Sequence, residues 1–162
     1  MEKVELNKQA KLSEHFTLGE LCKTSVNSLD GNIPSSEDVE NLKRLCPWLE
    51  ELRLRYNQRY VCGGVEDTEE PIIISSGYRS PEVNKCVGGA YSSNHLTGCA
   101  VDIRVAGIEQ ALRYAVILMD YADETRQDYD EIIIERNRHG RYWVHFAVRL
   151  KDNRRRTMFI QA

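Results

Sequence analysis

Apolar residues recur at intervals of three and four from Ser36 to about Tyr56, where Val39, Leu42, Leu45, Leu49, Leu52 and Tyr56 fall on one side of a helix. Pro47 lies inside this stretch without an amide proton to donate, so the pattern predicts a kink or two abutting helices. A second amphipathic helix is predicted from Gly107 to about Ala122, with Ile108, Leu112, Ala115, Val116 and Met119 as its apolar stripe. Elsewhere the pattern is that of strands. Pro71-Ile-Ile-Ile-Ser-Ser is a short β-branched run bounded by turn residues, and Cys99 to Val105 is another apolar segment. Tyr129 to Glu135 and Tyr142 to Val148 read as a hairpin pair with Gly140 near the turn, and Thr157 to Ile160 as a last short strand. Two short helical starts are marked by their caps: Thr17 with Glu20 in capping-box spacing, and Ser80 before Pro81 and Glu82.

A chain of 162 residues is long enough for one buried core, and no repeat or linker divides it, so residues 1–162 are expected to form a single domain with a loose polar lead of about eleven residues. The net charge of −3 supplies no field that would draw the chain onto nucleic acid. Arg154-Arg-Arg156 is a local exception, read as a solvated tail, with an anionic wall polymer or nucleic acid as the alternative partner. Five cysteines without a C-x-x-C pair give neither a disulfide framework nor a four-thiolate metal site. The acidic run Glu66 to Glu70 lacks calcium-loop spacing and reads as a surface loop. No run approaches the roughly 20 apolar residues of a membrane span, and the first residues lack the apolar centre of a signal peptide. The expectation is a soluble monomer made in a reducing cytoplasm, which something else must deliver if its substrate lies outside the cell.

The candidate chemistry lies in three places. His95 and Asp102 are seven residues apart, between a glycine-rich loop and an apolar strand, and His145 stands in the strand Tyr142-Trp-Val-His-Phe-Ala-Val. In that strand Val144, Phe146 and Val148 face the core, so His145 looks out of the opposite face. Two imidazoles and one carboxylate would hold zinc with a fourth position left for water, the layout of a catalytic site. A hydrolytic site also needs a base. Glu135 is the first candidate, with Asp130 and Glu131 as alternatives; it shares the face of His145 if it pairs opposite Trp143, and points the other way if it pairs opposite Tyr142. The first register is expected, because a carboxylate on the apolar side would lack a partner. Arg79, between a strand and a helix start, either forks onto a carboxylate or pairs with Glu82 or solvent. Gly88-Gly89 frees the loop that brings Ser93 and His95 to the site. His15 reads as structural, and Cys99 either as a small strand residue or as the nucleophile of a thiol enzyme beside His95.

These residues resemble the peptidase M15 family, the zinc D-Ala-D-Ala carboxypeptidases and related phage L-alanyl-D-glutamate endopeptidases. The resemblance is carried by Ser76-Gly-Tyr-Arg-Ser-Pro through Gly89, by Ser93 to Ile103, and by Trp143-Val-His145, with further similarity from Leu12-Ser-Glu-His-Phe onward. It implies an α+β, hedgehog/D,D-peptidase-like fold with a small antiparallel sheet flanked by helices, and zinc on His95, Asp102 and His145. It also implies that Arg79 binds a substrate carboxylate or the developing oxyanion, helped by Ser93. The implied substrate is a D-amino-acid-containing stem peptide of bacterial peptidoglycan, reached after phage-type, endolysin-like release. Several branches carry an acidic residue three before the last histidine, where this chain has Tyr142. A metal-holding module without turnover is the alternative.

Overall fold

The computed structural model describes residues 7–61 and 68–161. The chain forms helix α1 (Leu18–Leu21), the long helix α2 (Ser36–Tyr56), strand β1 (Ile74–Ser76), helix α3 (Pro81–Cys86), strand β2 (Ala100–Arg104), helix α4 (Ile108–Thr125), and strands β3 (Glu131–Arg136), β4 (Tyr142–Ala147) and β5 (Arg156–Gln161). The fold is α+β: a five-stranded sheet in the order β1-β2-β4-β3-β5, flanked by helices. β1, β2, β4 and β3 pair antiparallel, and β5 joins the free edge of β3 in parallel. That last pairing is parallel because β4 ends at Ala147 opposite Glu131, and the segment after it passes the end of β3 to begin β5 at Arg156, also opposite Glu131.

Local chemistry sets the element boundaries. Thr17 and Glu20 form the capping box of α1, Ser35 and Asp38 that of α2, and Ser80 caps α3 with Pro81 behind it. Of the two outcomes expected at Pro47, two abutting helices do not occur: α2 is one continuous helix through it. Leu45, Cys46, Trp48 and Leu49, on both sides of the proline, are buried. Their burial, at roughly 1.5–3 kcal/mol for each large side chain, exceeds the about 3 kcal/mol that an interior proline costs. In α4 the predicted stripe is rotated. The buried side chains are Ala111, Tyr114, Ala115, Ile117, Leu118 and Ala122, whereas Ile108, Leu112 and Val116 are exposed. Small residues let α4 approach closely, and Tyr114 packs beside Ile117 and Leu118 in the core, edge-on against Tyr56 with ring centroids 4.9 Å apart.

The core lies between the sheet and the pair α2 and α4. Val101, Ile103, Ile132, Ile134, Val144 and Phe146 meet Leu42, Leu45, Leu49, Leu52 and Leu118 there. Trp48 joins the layers, with ring centroids 5.4 Å from Phe146 and 5.0 Å from Tyr121. The other face of the sheet stays open, and its alternate residues are those with chemistry. Residues 8–10, placed in the loose lead by their polarity, run beside α1, where Lys8 and Ala10 carbonyls accept from Gly19 and Leu18. Gly63-Gly64 and, from the acidic run, Glu66 and Asp67 lie outside the described residues, as do residues 1–6. Among the described residues no helix is long and apolar enough to cross a membrane.

Candidate metal centre and cleft

The register of the sheet places the site. Asp102 on β2 stands opposite His145 on β4, which stands opposite Ile133 on β3, and Glu135 pairs with Trp143. Asp102, His145, Glu131 and Glu135 therefore share the open face. His95 arrives from a 3₁₀ turn, Asn94–Thr97, capped by the Ser93 hydroxyl, which accepts from the His95 amide at 3.2 Å. Gly98, at φ 73°, ends that turn in the left-handed region and returns the chain to β2. The Arg79 amide donates to the His95 carbonyl at 2.9 Å, so the two site loops are tied by backbone.

The donor atoms converge. His95 Nε2 lies 3.3 Å from Asp102 Oδ1, and His145 Nδ1 lies 3.2 Å from the same oxygen. One ligand atom from each of the three residues falls within 4.8 Å of the others. Bonds of about 2.0–2.1 Å at tetrahedral angles separate neighbouring ligands by roughly 3.3 Å, so these spacings fit a zinc-sized cation. Tautomers support the fit. His95 Nδ1 is 2.7 Å from the Gly77 carbonyl, which can only accept, so Nδ1 carries the proton. His145 Nε2 is 3.1 Å from Glu131 Oε1, which makes that nitrogen the donor. In the neutral rings, the remaining nitrogens then present lone pairs toward a carboxylate oxygen, an arrangement that needs a cation or a proton at its centre.

Electrostatics agree. Burial disfavours the Asp102 carboxylate, but His95 and His145 outweigh it and hold its pKa well below the usual range. Burial likewise works against charge on His145, yet its hydrogen bonds to Asp102 and Glu131 raise its pKa to about 9 when a proton takes the cation's place.

Arg79 chooses neither Glu82 nor solvent. Its Nη2 is 3.1 Å from Asp102 Oδ2 and its Nε donates to Ser76 Oγ at 3.1 Å, while Glu82 accepts from the amides of Leu29 and Asp30. Of the three candidate bases, only Glu135 is free of cationic partners. Its Oε2 accepts from Trp143 Nε1, and burial followed by the charge of Asp102 raises its pKa. Asp130 is fully buried and takes hydrogen bonds from Arg154 and Asn94. Glu131 is occupied by His145, Asn94 and Arg156.

Asn94 was not singled out by its sequence context, although it lies one residue from His95. Its amide nitrogen donates to both Asp130 and Glu131 at 2.8 Å, and its oxygen accepts from Arg149. His15, read as structural, bonds Glu50 at 3.0 Å on the surface, with Glu14 nearby. Cys99 is buried with its thiol pKa raised by that burial, which removes the thiolate a nucleophile needs.

The cluster floors a cleft of about 460 Å³, whose wall includes Arg79, Ser93, Glu135, Trp143 and the segment Val87–Ala90. A second hollow of about 440 Å³ shares Asp102 and Trp143 and continues along Ser75, Arg104 and Arg141. Two imidazoles, a carboxylate and an open cleft define the class as a candidate hydrolytic metal centre. The family model for Peptidase M15 matches residues 14–129, and the chain belongs to that family of generally metal-dependent peptidases. The matched segment contains Arg79, Ser93, His95 and Asp102; Glu131, Glu135 and His145 follow it. A comparison with curated proteins returned no match.

Proposed function

We propose that the protein is a zinc peptidase that hydrolyses D-amino-acid-containing stem peptides of peptidoglycan, cutting within a chain. The observation that carries this reading is the convergence of His95 Nε2, His145 Nδ1 and Asp102 Oδ1, with Glu135 on the same open face. His95, Asp102 and His145 would hold the metal. When bound, zinc supplies Lewis acidity at the scissile carbonyl and lowers the pKa of water to about 7. Glu135 accepts the proton of the attacking water and passes it to the leaving amine. The Trp143 N–H fixes one of its oxygens, leaving the other for that proton. Arg79 uses Nε and Nη2 on Ser76 and Asp102, so its Nη1 remains to meet charge developing on the carbonyl oxygen. Ser93, on the cleft wall, stands beside the bound chain.

Cutting within a chain is supported by the hollow that continues past Trp143, which leaves room for substrate on both sides of the metal cluster. The wall-peptide assignment is supported by the motif from Ser76 to Gly89, the Ser93 to Ile103 segment and Trp143-Val-His145. Metal content and release of fragments from purified peptidoglycan test it, using wild type, His145→Ala and Glu135→Gln with mass spectrometry of the products. One zinc per chain and stem-peptide fragments from wild type alone are expected. Zinc binding with no fragments from any wall preparation would instead make this a metal-holding recognition module.

A further inference from the structure

Three arginines end the cleft on the Glu131 side. Arg149 follows β4, Arg154 precedes β5, and Arg156 opens β5 directly beside Glu131 in the parallel register. All three line the cleft that holds His95, Asp102 and His145. Arg155 between them turns away and is satisfied by Asp123 and Asp128. Arg155 sits in the left-handed region at φ 51°, and this local turn before β5 sorts the Arg154-Arg-Arg156 cluster into two cleft residues and one outer residue.

We propose that Arg149, Arg154 and Arg156 form a carboxylate-binding subsite, so that the peptide substrate carries a free carboxylate close to the bond that is cut. The inference deepens the peptidase reading and rests on it. Three guanidiniums here face two carboxylates, Asp130 and Glu131, which leaves one positive charge in excess. The side chain of Asp130 is 0% exposed, whereas those of Arg154 and Arg156 are each 41% exposed, so the anions lie beneath and the cations above. Donors are left over. Among the described residues, both terminal nitrogens of Arg149, Nη1 of Arg154 and Nε of Arg156 have no partner.

A carboxylate suits this end better than a phosphate polymer. One excess charge matches one monoanion, and Glu135, further along the same floor, would repel a chain of phosphates more than a single carboxylate. The opposite wall, Gly88, Gly89 and Ala90, has little side chain and leaves space for a peptide backbone. The distance is also suitable. Arg149 bonds Asn94 at 2.9 Å, Asn94 bonds Glu131 at 2.8 Å, and Glu131 bonds His145 at 3.1 Å. Such a relay spans roughly 10 Å, about three residues of extended peptide at ~3.3 Å each.

The test is binding to zinc-loaded Glu135→Gln protein, which separates affinity from turnover. The calorimetric probes are L-Ala-γ-D-Glu-L-Lys-D-Ala, the same peptide with the D-Glu α-carboxyl amidated, and the same peptide with its C-terminus amidated. Loss of charge-assisted hydrogen bonds should make one amidated peptide bind at least about tenfold more weakly than its parent. The difference should shrink below about threefold when Arg149→Gln or Arg154→Gln is added. Arg149→Lys, which keeps the charge beside Asp130 but not the fork, gives the same readout should a Gln variant not fold. Equal affinities for all three peptides, discrimination that survives the arginine variants, or absence of peptide binding would each overturn the subsite. So would arginine-dependent binding of poly(glycerol phosphate) without any effect of amidation, which would assign the patch to a wall polymer. Fragment release from peptidoglycan by the wild type, scored separately, shows whether the peptidase reading stands when the subsite does not.

Discussion

Glu131 Oε1 lies 3.1 Å from His145 Nε2, and this carboxylate on β3 decides which nitrogen of a β4 histidine is left for a metal. Carboxylate partners of ligating histidines typically contribute 10–100-fold to metal affinity. Glu131→Gln keeps an acceptor without its charge, so a loss of about tenfold in zinc affinity is expected, and closer to about 100-fold for Glu131→Ala. Competition with a chromogenic chelator measures both. Unchanged affinity in the alanine variant would show that Nδ1 and Nε2 are interchangeable at this site.

The same contact makes the metal-free protein pH-sensitive. His145 has a folded-state pKa raised to about 9 from an ordinary 6.5, because Asp102 and Glu131 outweigh the cost of burial. A raised pKa means the native state binds the proton more tightly, so the stabilisation is complete below about pH 6.5 and is lost as pH rises through about 9. Both carboxylate pKa values are lowered, so those groups stay ionised across this window and do not alter the sign. Chemical denaturation of chelator-treated protein at pH 6, 7.5 and 9 should show stability falling by up to a few kcal/mol. Zinc-loaded protein should lack the decline, and its zinc affinity should increase over the same interval as the competing proton leaves.

How much of this was legible in the chain depends on what each residue's signal was. His95, Asp102 and His145 could be grouped because a histidine or carboxylate in an apolar strand has few structural uses, and the structure brings them together. Glu135 opposite Trp143 followed from requiring that its carboxylate avoid the apolar face. The α4 stripe held at Ala115 and Met119 and failed at Ile108, Leu112 and Val116, because that helix carries apolar residues on two sides and periodicity cannot tell which side a sheet will cover. Asn94 and the cleft arginines were hidden for a different reason. Their significance comes from Asp130 and Glu131, some 36 residues away from Asn94 in sequence, and only the β3–β5 pairing reveals it.

Glu135 is poised by opposed influences. Burial and Asp102 raise its pKa, whereas the charge of His145 and then the hydrogen bond from Trp143 lower it, with the raising side ahead. The acid limb of kcat/KM should therefore lie above the ordinary carboxylate value. Trp143→Phe removes one of the lowering influences, so the limb should move to higher pH if Glu135 is the proposed base, which works only when deprotonated. Glu135→Gln should retain zinc and lose roughly 10²–10⁴ in kcat. A limb unmoved by Trp143→Phe would assign the proton transfer to another group.

Cys99 gives the contrasting case. It is buried on the way into β2 and its thiol pKa is raised, so Cys99→Ala should leave kcat/KM within about twofold while lowering stability by about 1 kcal/mol for the lost packing. For the same reason Cys99 itself should resist iodoacetamide in the folded protein, read by peptide mapping because the exposed Cys86 will be alkylated. Inactivation of the alanine variant would revive the thiol-enzyme reading.

Gly77 connects the fold to the candidate metal site through backbone alone. Its carbonyl fixes the His95 ring at 2.7 Å, its amide donates to the Lys23 carbonyl, and Tyr78 N donates to Leu21 O at 2.8 Å. A Cβ at Gly77 would overlap the Leu21 carbonyl oxygen, and a backbone atom cannot swing aside as a side-chain tip can. Gly77→Ala should therefore push apart the segment after α1 and the loop that positions His95. Overpacking of this kind costs roughly 1–3 kcal/mol, or about 2–12 °C in Tm for a chain of this size. Zinc affinity should fall together with stability. Gly88→Ala is the comparison: at φ 69° with nothing near its Cβ, it should cost about 1 kcal/mol from backbone strain while leaving zinc affinity unchanged. Equal effects of the two substitutions on zinc affinity would mean that the Gly77 carbonyl does not set the orientation of His95.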